Sequence, residues 1–210
     1  MIASATPGHD YRVVPEKLNL ALNVLDDSVA RGCGPRPALV GDFGVVTYEA
    51  LQQRVNAVAA GLLDLGLKRG DLILIKMSNS PEFAVAFLAA VKLGVIPVLV
   101  NSLLTALELK AVLEQTRPQL IFTETARSGA VRELRGSGLF THVICAGEAE
   151  GHEITFASLA ANSAAVVAGA DTRSDESAFI VYTSGTTGKP KGIVHAHRWI
   201  VALGDLNRYR

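Results

Sequence analysis

A chain of 210 residues, 49% hydrophobic but only 6% aromatic, carries enough Leu, Val, Ala and Ile for the core of one large domain. Lysine plus arginine match aspartate plus glutamate at 20 each, and this balance argues against a broad nucleic-acid-binding face. Cys33 and Cys145 stand far apart without a second ligand at metal spacing, so they read as reduced thiols of a cytoplasmic protein. The first residues include His9, Asp10 and Glu16 and form no apolar signal segment.

Pro35, Pro37 and Gly41 punctuate a short extended segment at Ala38-Leu39-Val40, and Gly44 turns it into Val45-Val46-Thr47, a small hairpin. Thr47 stands where it can cap a helix whose apolar residues Leu51, Val55, Val58, Leu62 and Leu65 share one face. Gly66 and Gly70 end that helix. Leu72-Ile73-Leu74-Ile75 follows as an unbroken apolar run of the kind found in strands buried on both faces.

Ser80-Pro81-Glu82 opens a second helix with a cap, a first-turn proline and an acid. The hydrophobic stretch from Phe83 to Val100 is broken by Lys92, Gly94 and Pro97, so it predicts a buried helix and then a strand rather than a membrane span. Thr105 and Glu108 have capping-box spacing for a third helix. Leu120-Ile121-Phe122 and Val143-Ile144-Cys145 read as strands, with a weaker helix between them over Ala130 to Leu134. Strand–helix alternation at this spacing predicts an α/β fold: βαβ units with right-handed crossovers and a mainly parallel sheet flanked by helices.

Gly147 to Glu153 is polar and reads as a surface loop. Ala160 to Ala170 and Asp171 to Ser177 each read as a short helix or a linker. Ala178-Phe179-Ile180-Val181 is a further buried strand. Directly after it, residues 182–192 gather three glycines, three threonines, a serine and two lysines. Glycines permit close backbone approach to an anion, hydroxyls donate, and successive N–H groups can form an anion nest. A solvated turn uses some of these residue types, but has little need for so many hydroxyls and cations together. The loop is not a Walker A motif, because Thr183 stands where a glycine is required and Lys189 is followed by Pro190. Pro190 has no N–H and pushes Lys189 towards an extended conformation, which argues against a helix starting there. His197 to Arg210 has a helical pattern in Ile200, Val201, Leu203 and Leu206.

Tyr182-Thr183-Ser184-Gly185-Thr186-Thr187-Gly188-Lys189-Pro190-Lys191-Gly192 resembles the signature loop of the adenylate-forming superfamily. That superfamily includes acyl- and aryl-CoA synthetases, peptide-synthetase adenylation domains and luciferases. Val46-Thr47-Tyr48-Glu49-Ala50-Leu51 is similar to its early Thr-Tyr-x-x-Leu element, and Ala90 to Val98 to its Lys-x-Gly element. The resemblance runs from about Leu18 to Arg198. It implies the first subdomain of the family's large domain, truncated: an α/β subdomain over 1–175, then the signature loop and the start of the following helix over 176–210. A family member continues well beyond this length, so the rest of the large domain and the C-terminal domain are expected to be absent.

The resemblance implies an acid–thiol ligase that activates a carboxylic acid with ATP and Mg²⁺ to an acyl-adenylate and passes it to coenzyme A. Thr183, Ser184, Gly185, Thr186, Thr187 and Gly188 would cradle phosphates, Thr186 would help hold Mg²⁺, and Lys191 would meet the terminal phosphates. His197 would lie near the acyl site; no residue of the chain is assigned a catalytic role. Lys189 reads as a solvated charge. Pro97 to Thr105 is similar to the matching segment of benzoate and hydroxybenzoate CoA ligases, with a short- or medium-chain fatty acid ligase as the alternative substrate class. The other alternative is an inactive fragment that binds nucleotide weakly or serves as an interaction module. Expected partners are a small carboxylic acid and, through apolar surface left bare, a second copy of the chain in a homo-oligomer; nucleic acid and membrane are not expected.

His195 and His197, two apart, have poor metal spacing and read as polar residues satisfied at a helix start. Asp26-Asp27 and the Glu148, Glu150 pair read as solvated charges.

Overall fold

The computed structural model describes residues 13–161, 165–184 and 190–208. Two strands, β1 (Pro37–Gly41) and β2 (Gly44–Thr47), form the small antiparallel hairpin expected around Gly44, whose φ of 91° suits glycine. Thr47 then caps α1 (Tyr48–Asp64), its hydroxyl accepting from the Ala50 N–H. Strand β3 (Leu72–Lys76) leads to α2 (Pro81–Lys92), where the Ser80 side chain accepts from the Phe83 N–H. Strand β4 (Ile96–Leu99) leads to α3 (Ala106–Thr116), which starts in a complete Thr105–Glu108 capping box.

The remaining elements are β5 (Leu120–Glu124), α4 (Gly129–Glu133), β6 (His142–Ala146), β7 (Ile154–Thr155), α5 (Phe156–Leu159), β8 (Ser177–Ser184), β9 (Pro190–Ala196) and α6 (Trp199–Arg208). A seven-stranded sheet takes the order β7-β6-β5-β3-β4-β8-β9. Every neighbouring pair in it is parallel except β8 with β9. The α/β class is therefore as expected, with strands that include Ile73, Val98, Ile121, Ile144 and Ile180.

Side-chain alternation along the strands divides the core between two faces. Ile73, Ile75 and Phe122 pack with Val55, Val58 and Leu62 of α1 and with Val85 and Ala89 of α2. Leu74, Val98 and Ile121 point the other way, onto Leu109, Val112 and Leu113 of α3 and Val131 of α4. The chain steps from β3 outward to β4, then returns past β3 to β5. Right-handed crossovers in opposite directions put α2 and α3 on opposite faces.

Locally the structure departs from one of the expectations drawn from the sequence, settles an alternative left open, and adds elements they did not include. Residues 190–196 form the edge strand β9 rather than the approach to a helix, and α6 begins at Trp199 rather than at His197. Proline at the first residue of an edge strand loses no ladder hydrogen bond, which is why Pro190 is tolerated there. The stretch 165–176 is a linker, tied down by Ala170 N–H donating to the Lys92 carbonyl and by a bridge between Lys17 and Arg173. A short strand, β7, follows directly on the polar loop. Ahead of β1, two wide helical turns, Leu22–Asp26 and Val29–Cys33, occupy a region where no element was expected, and Leu25 is buried there.

Candidate functional site

The loops that leave β3 and β4 turn to opposite faces of the sheet, so a crevice opens between the carboxyl ends of these adjacent strands. Such a switch point is where open α/β sheets bind ligands. Here it is a groove of about 510 Å³, lined by Met77, Ser78 and Asn79 after β3, Leu99 to Ser102 at the end of β4, Phe83, and Val181 and Tyr182 of β8. Its wall is mixed, with apolar and aromatic side chains beside two asparagines and two serines.

The hairpin of β8 and β9 rises at the same end of the sheet. Val98 and Leu99 of β4 pair with Ile180 and Val181, so β8 continues past the last residue of its parallel neighbour. In that projecting part Tyr182 faces Gly192, Thr183 faces Lys191 and Ser184 faces Pro190. Thr183 and Lys191 are exposed. Thus two of the residues expected at the phosphates, a hydroxyl and an ammonium, are brought opposite one another beside the groove. Gly185, Thr186, Thr187, Gly188 and Lys189 lie outside the described residues, and so does the expected Mg²⁺ contact of Thr186.

Tyr182 anchors this hairpin to α3 through its hydroxyl, which lies 3.2 Å from Gln115 Oε1. Burial pushes the Tyr182 phenol above its ordinary range, so it serves as a hydrogen-bond donor at neutral pH. Its ring lies over Gly192, where an added Cβ would come within 2.9 Å of Cε2. The sequence suggested that glycines here free the backbone to approach an anion. Gly192 instead makes room for a tyrosine.

His197 is not brought into the groove. It lies just beyond Ala196, the partner of Ser177 at the opposite end of β8. It is 1% exposed. Its backbone N–H donates to the Glu176 carbonyl and its Nδ1 accepts from the Leu20 N–H at 3.1 Å. Burial holds the imidazole below its ordinary pKa, with Glu176 opposing and Arg69 adding to that shift. A neutral ring tying the first helical turns to the hairpin fits these contacts, and the acyl-site assignment has no support in its position. His195 sits on β9, stacked on Phe179 at 4.6 Å with Trp199 edge-on, rather than at a helix start.

Sequence reasoning passed over a polar group beneath the groove. Lys76, 2% exposed at the end of β3, donates from Nζ to the Ser102 carbonyl at 2.6 Å and the Arg127 carbonyl at 3.0 Å. Glu124 Oε1, at the end of β5, accepts from the Ser78 hydroxyl at 2.7 Å and the Ser78 N–H at 3.2 Å. Burial lowers the Lys76 pKa, nearby Arg127 lowers it further, and Glu124 acts the other way. A lone lysine ending an apolar run was the one available signal.

Asp26 also departs from its reading as a solvated charge. Its Oδ1 receives Lys92 Nζ at 2.7 Å and Gln52 Nε2 at 3.0 Å, and Lys92 reaches Asn56 Oδ1 at 2.8 Å. Asp27, Glu148 and Glu150 are exposed, as expected of solvated charges, with Glu150 in a surface ion pair with Arg132.

Against this geometry, the family model described as "AMP-binding enzyme" matches residues 25–208. The chain is 30% identical over 195 residues to a benzoate–CoA ligase of Thauera aromatica, covering 92% of this chain and 37% of that protein. It is 30% identical over 182 residues to a 4-hydroxybenzoate–CoA/benzoate–CoA ligase of Rhodopseudomonas palustris, covering 85% and 33%. Among solved structures, an anthranilate CoA ligase with bound anthranoyl-AMP superposes with a TM-score of 0.82 at 25% identity, covering 88% of this chain and 36% of that one. A benzoate CoA ligase from Burkholderia xenovorans superposes with a TM-score of 0.74 at 28% identity, covering 85% and 34%. The chain spans about a third of the length of the curated relatives it matches.

Proposed function

The chain belongs to the family of AMP-binding enzymes, and from that premise we propose that it is the phosphate-gripping part of an AMP-forming aryl-CoA ligase. In that reaction a carboxylate attacks the α-phosphorus of ATP, pyrophosphate leaves, and the acyl group passes to coenzyme A. Negative charge grows on the departing phosphates, where fixed hydroxyls, N–H groups and a cation stabilise it. The observation that carries the reading is the pairing of exposed Thr183 with exposed Lys191 at the carboxyl end of the sheet, beside the switch-point groove. One hydroxyl and one ammonium in that place fit a polyphosphate. Thr186 is proposed as the Mg²⁺ contact, with Ser184, Gly185, Thr187 and Gly188 completing the cradle. Residues 1–175 are read as the scaffold, and 176–210 as the signature segment with the helix after it.

An aromatic acid is the favoured substrate class, because the relatives named above are ligases of benzoate, hydroxybenzoate and anthranilate. Exposed Ile193 and Val194 on edge strand β9 support self-association. The test is calorimetry with Mg–ATP on the chain and on Lys191→Ala. Binding in the range of roughly 1 mM is expected, with the variant about tenfold weaker, as for the loss of a charge-assisted contact. Equal binding by both proteins would refute the assignment of Lys191, and no binding by either would refute the nucleotide site.

A further inference from the structure

Both rims of the switch-point groove are tied to one support. Ser78 belongs to the loop after β3, and both its N–H and its hydroxyl donate to Glu124. Ser102 belongs to the loop after β4, and its carbonyl receives Lys76 Nζ. Lys76 also holds the Arg127 carbonyl, in the turn that follows β5 and Glu124. Thus two loops that diverge to opposite faces are each pinned to the carboxyl end of β5.

The cost of this arrangement argues that it matters to the groove. Burying an ammonium is unfavourable unless its donors are satisfied, and an apolar side chain at position 76 would serve the adjoining core of Leu74, Ile121 and Val131 as well. Like-charged Arg127 stands close enough to depress the Lys76 pKa further. What the ammonium supplies, and a Leu or Met could not, is a pair of directed hydrogen bonds to backbone carbonyls of two different loops. The carboxylate does the same for the opposite rim.

We propose that Lys76 and Glu124 are positioning residues that fix the two rims of the switch-point groove in their ligand-accepting arrangement. This inference rests on the nucleotide-binding reading above, and it concerns two residues outside the lining of the groove. Lys76 sets the Asn101–Ser102 rim and Glu124 sets the Ser78–Asn79 rim. Each tether acts on its own loop, so the two should be separable.

Hydrogen exchange and Mg–ATP calorimetry on the 210-residue chain test this, with Lys76→Met, Glu124→Ala, Glu124→Gln and Ser78→Ala. Lys76→Met should speed exchange at 101–104 and around 127–130 while leaving 78–80 unchanged. Glu124→Ala should speed exchange at 78–80 and leave 101–104 unchanged, whereas 127–130 does not separate the two because Glu124 also pairs with Arg127 at 3.7 Å. Glu124→Gln, which keeps an acceptor oxygen, should restore protection at 78–80. Lys76→Met and Glu124→Ala should each weaken Mg–ATP binding about tenfold, as for one lost tether, with Glu124→Gln near the parent. If Glu124→Ala does not fold, Ser78→Ala removes one donor to the same carboxylate and is read in its place.

Unaltered exchange at both rims, or acceleration spread over the whole chain, would overturn the proposal. So would unchanged Mg–ATP affinity in variants whose rims have loosened. Should the parent chain fail to bind Mg–ATP, the nucleotide reading falls and the exchange pattern alone decides whether the tethers hold the rims.

Discussion

Tyr182 and Gly192 face each other across β8 and β9, and the tyrosine ring occupies the space that a side chain at 192 would need. The ring cannot simply swing aside, because its hydroxyl is bonded to Gln115 on α3. Gly192→Ala should therefore displace the ring and break that bond, at a cost of about 1–2 kcal/mol. Urea denaturation gives the check. Tyr182→Phe combined with Gly192→Ala should cost little more than Gly192→Ala alone, since both remove the same hydrogen bond. Full additivity in the double variant would show that the two residues act separately.

Asp26 and Lys92 give the second prediction. Lys92 is 1% exposed and depends on Asp26 and Asn56 for its charge. Removing Asp26 leaves an ammonium in the core with one neutral partner, and such a loss typically costs 3–5 kcal/mol. Asp26 is 24% exposed, so water can reach part of the gap and about 3 kcal/mol is expected for Asp26→Ala. Lys92→Met fills the same space but leaves Asp26, whose Oδ2 is already buried without a partner, beside an apolar group, so it should cost about 2 kcal/mol, less than the loss of Asp26. A Lys92→Met variant less stable than Asp26→Ala would contradict this order.

The contrast between these two pairs shows what the sequence could carry. Local signals were legible: Thr47, Ser80 and Thr105 cap the helices that follow them. Gly94 stands at φ 70° after α2, where the helix must end before β4. The apolar runs at 72–75 and 120–122 became central strands because nothing in them conflicts with burial on both faces. Long-range polar pairing was not legible. Asp26 is 66 residues from Lys92, and Glu124 is 46 residues from Ser78. No spacing rule links such positions before the topology brings them together. β9 was missed for a different reason: Lys191-Gly192-Ile193-Val194 lacks alternation, because this edge strand is exposed at all four positions.

His197 gives a pH dependence whose sign follows from its burial. Its folded pKa lies below the ordinary value of about 6.5, so the unfolded chain takes up a proton that the folded chain resists. The stability from its neutral form is complete above about pH 6.5 and is lost as the pH falls from there towards the depressed folded value. His197→Asn keeps an acceptor for the Leu20 N–H and does not titrate, so its melting temperature should fall less between about pH 6.5 and 5. Parallel melting curves for the two proteins would remove His197 from the acid response.

The last prediction concerns turnover. With benzoate, ATP, Mg²⁺ and coenzyme A, the 210-residue chain should release AMP far more slowly than about one per second, an ordinary enzymatic rate. Thr183 and Lys191 are the proposed phosphate contacts, and in-line attack also requires the nucleoside and the carboxylate to be fixed. A misplacement of about 1 Å can lower the rate on the order of a hundredfold. The match takes in 37% and 33% of the two ligases described. Contacts made by the remaining two thirds of such a protein are not available to this chain. A coupled AMP-release assay over a panel of benzoates and fatty acids provides the measurement. Turnover near one per second with any acid would mean that these residues suffice for positioning.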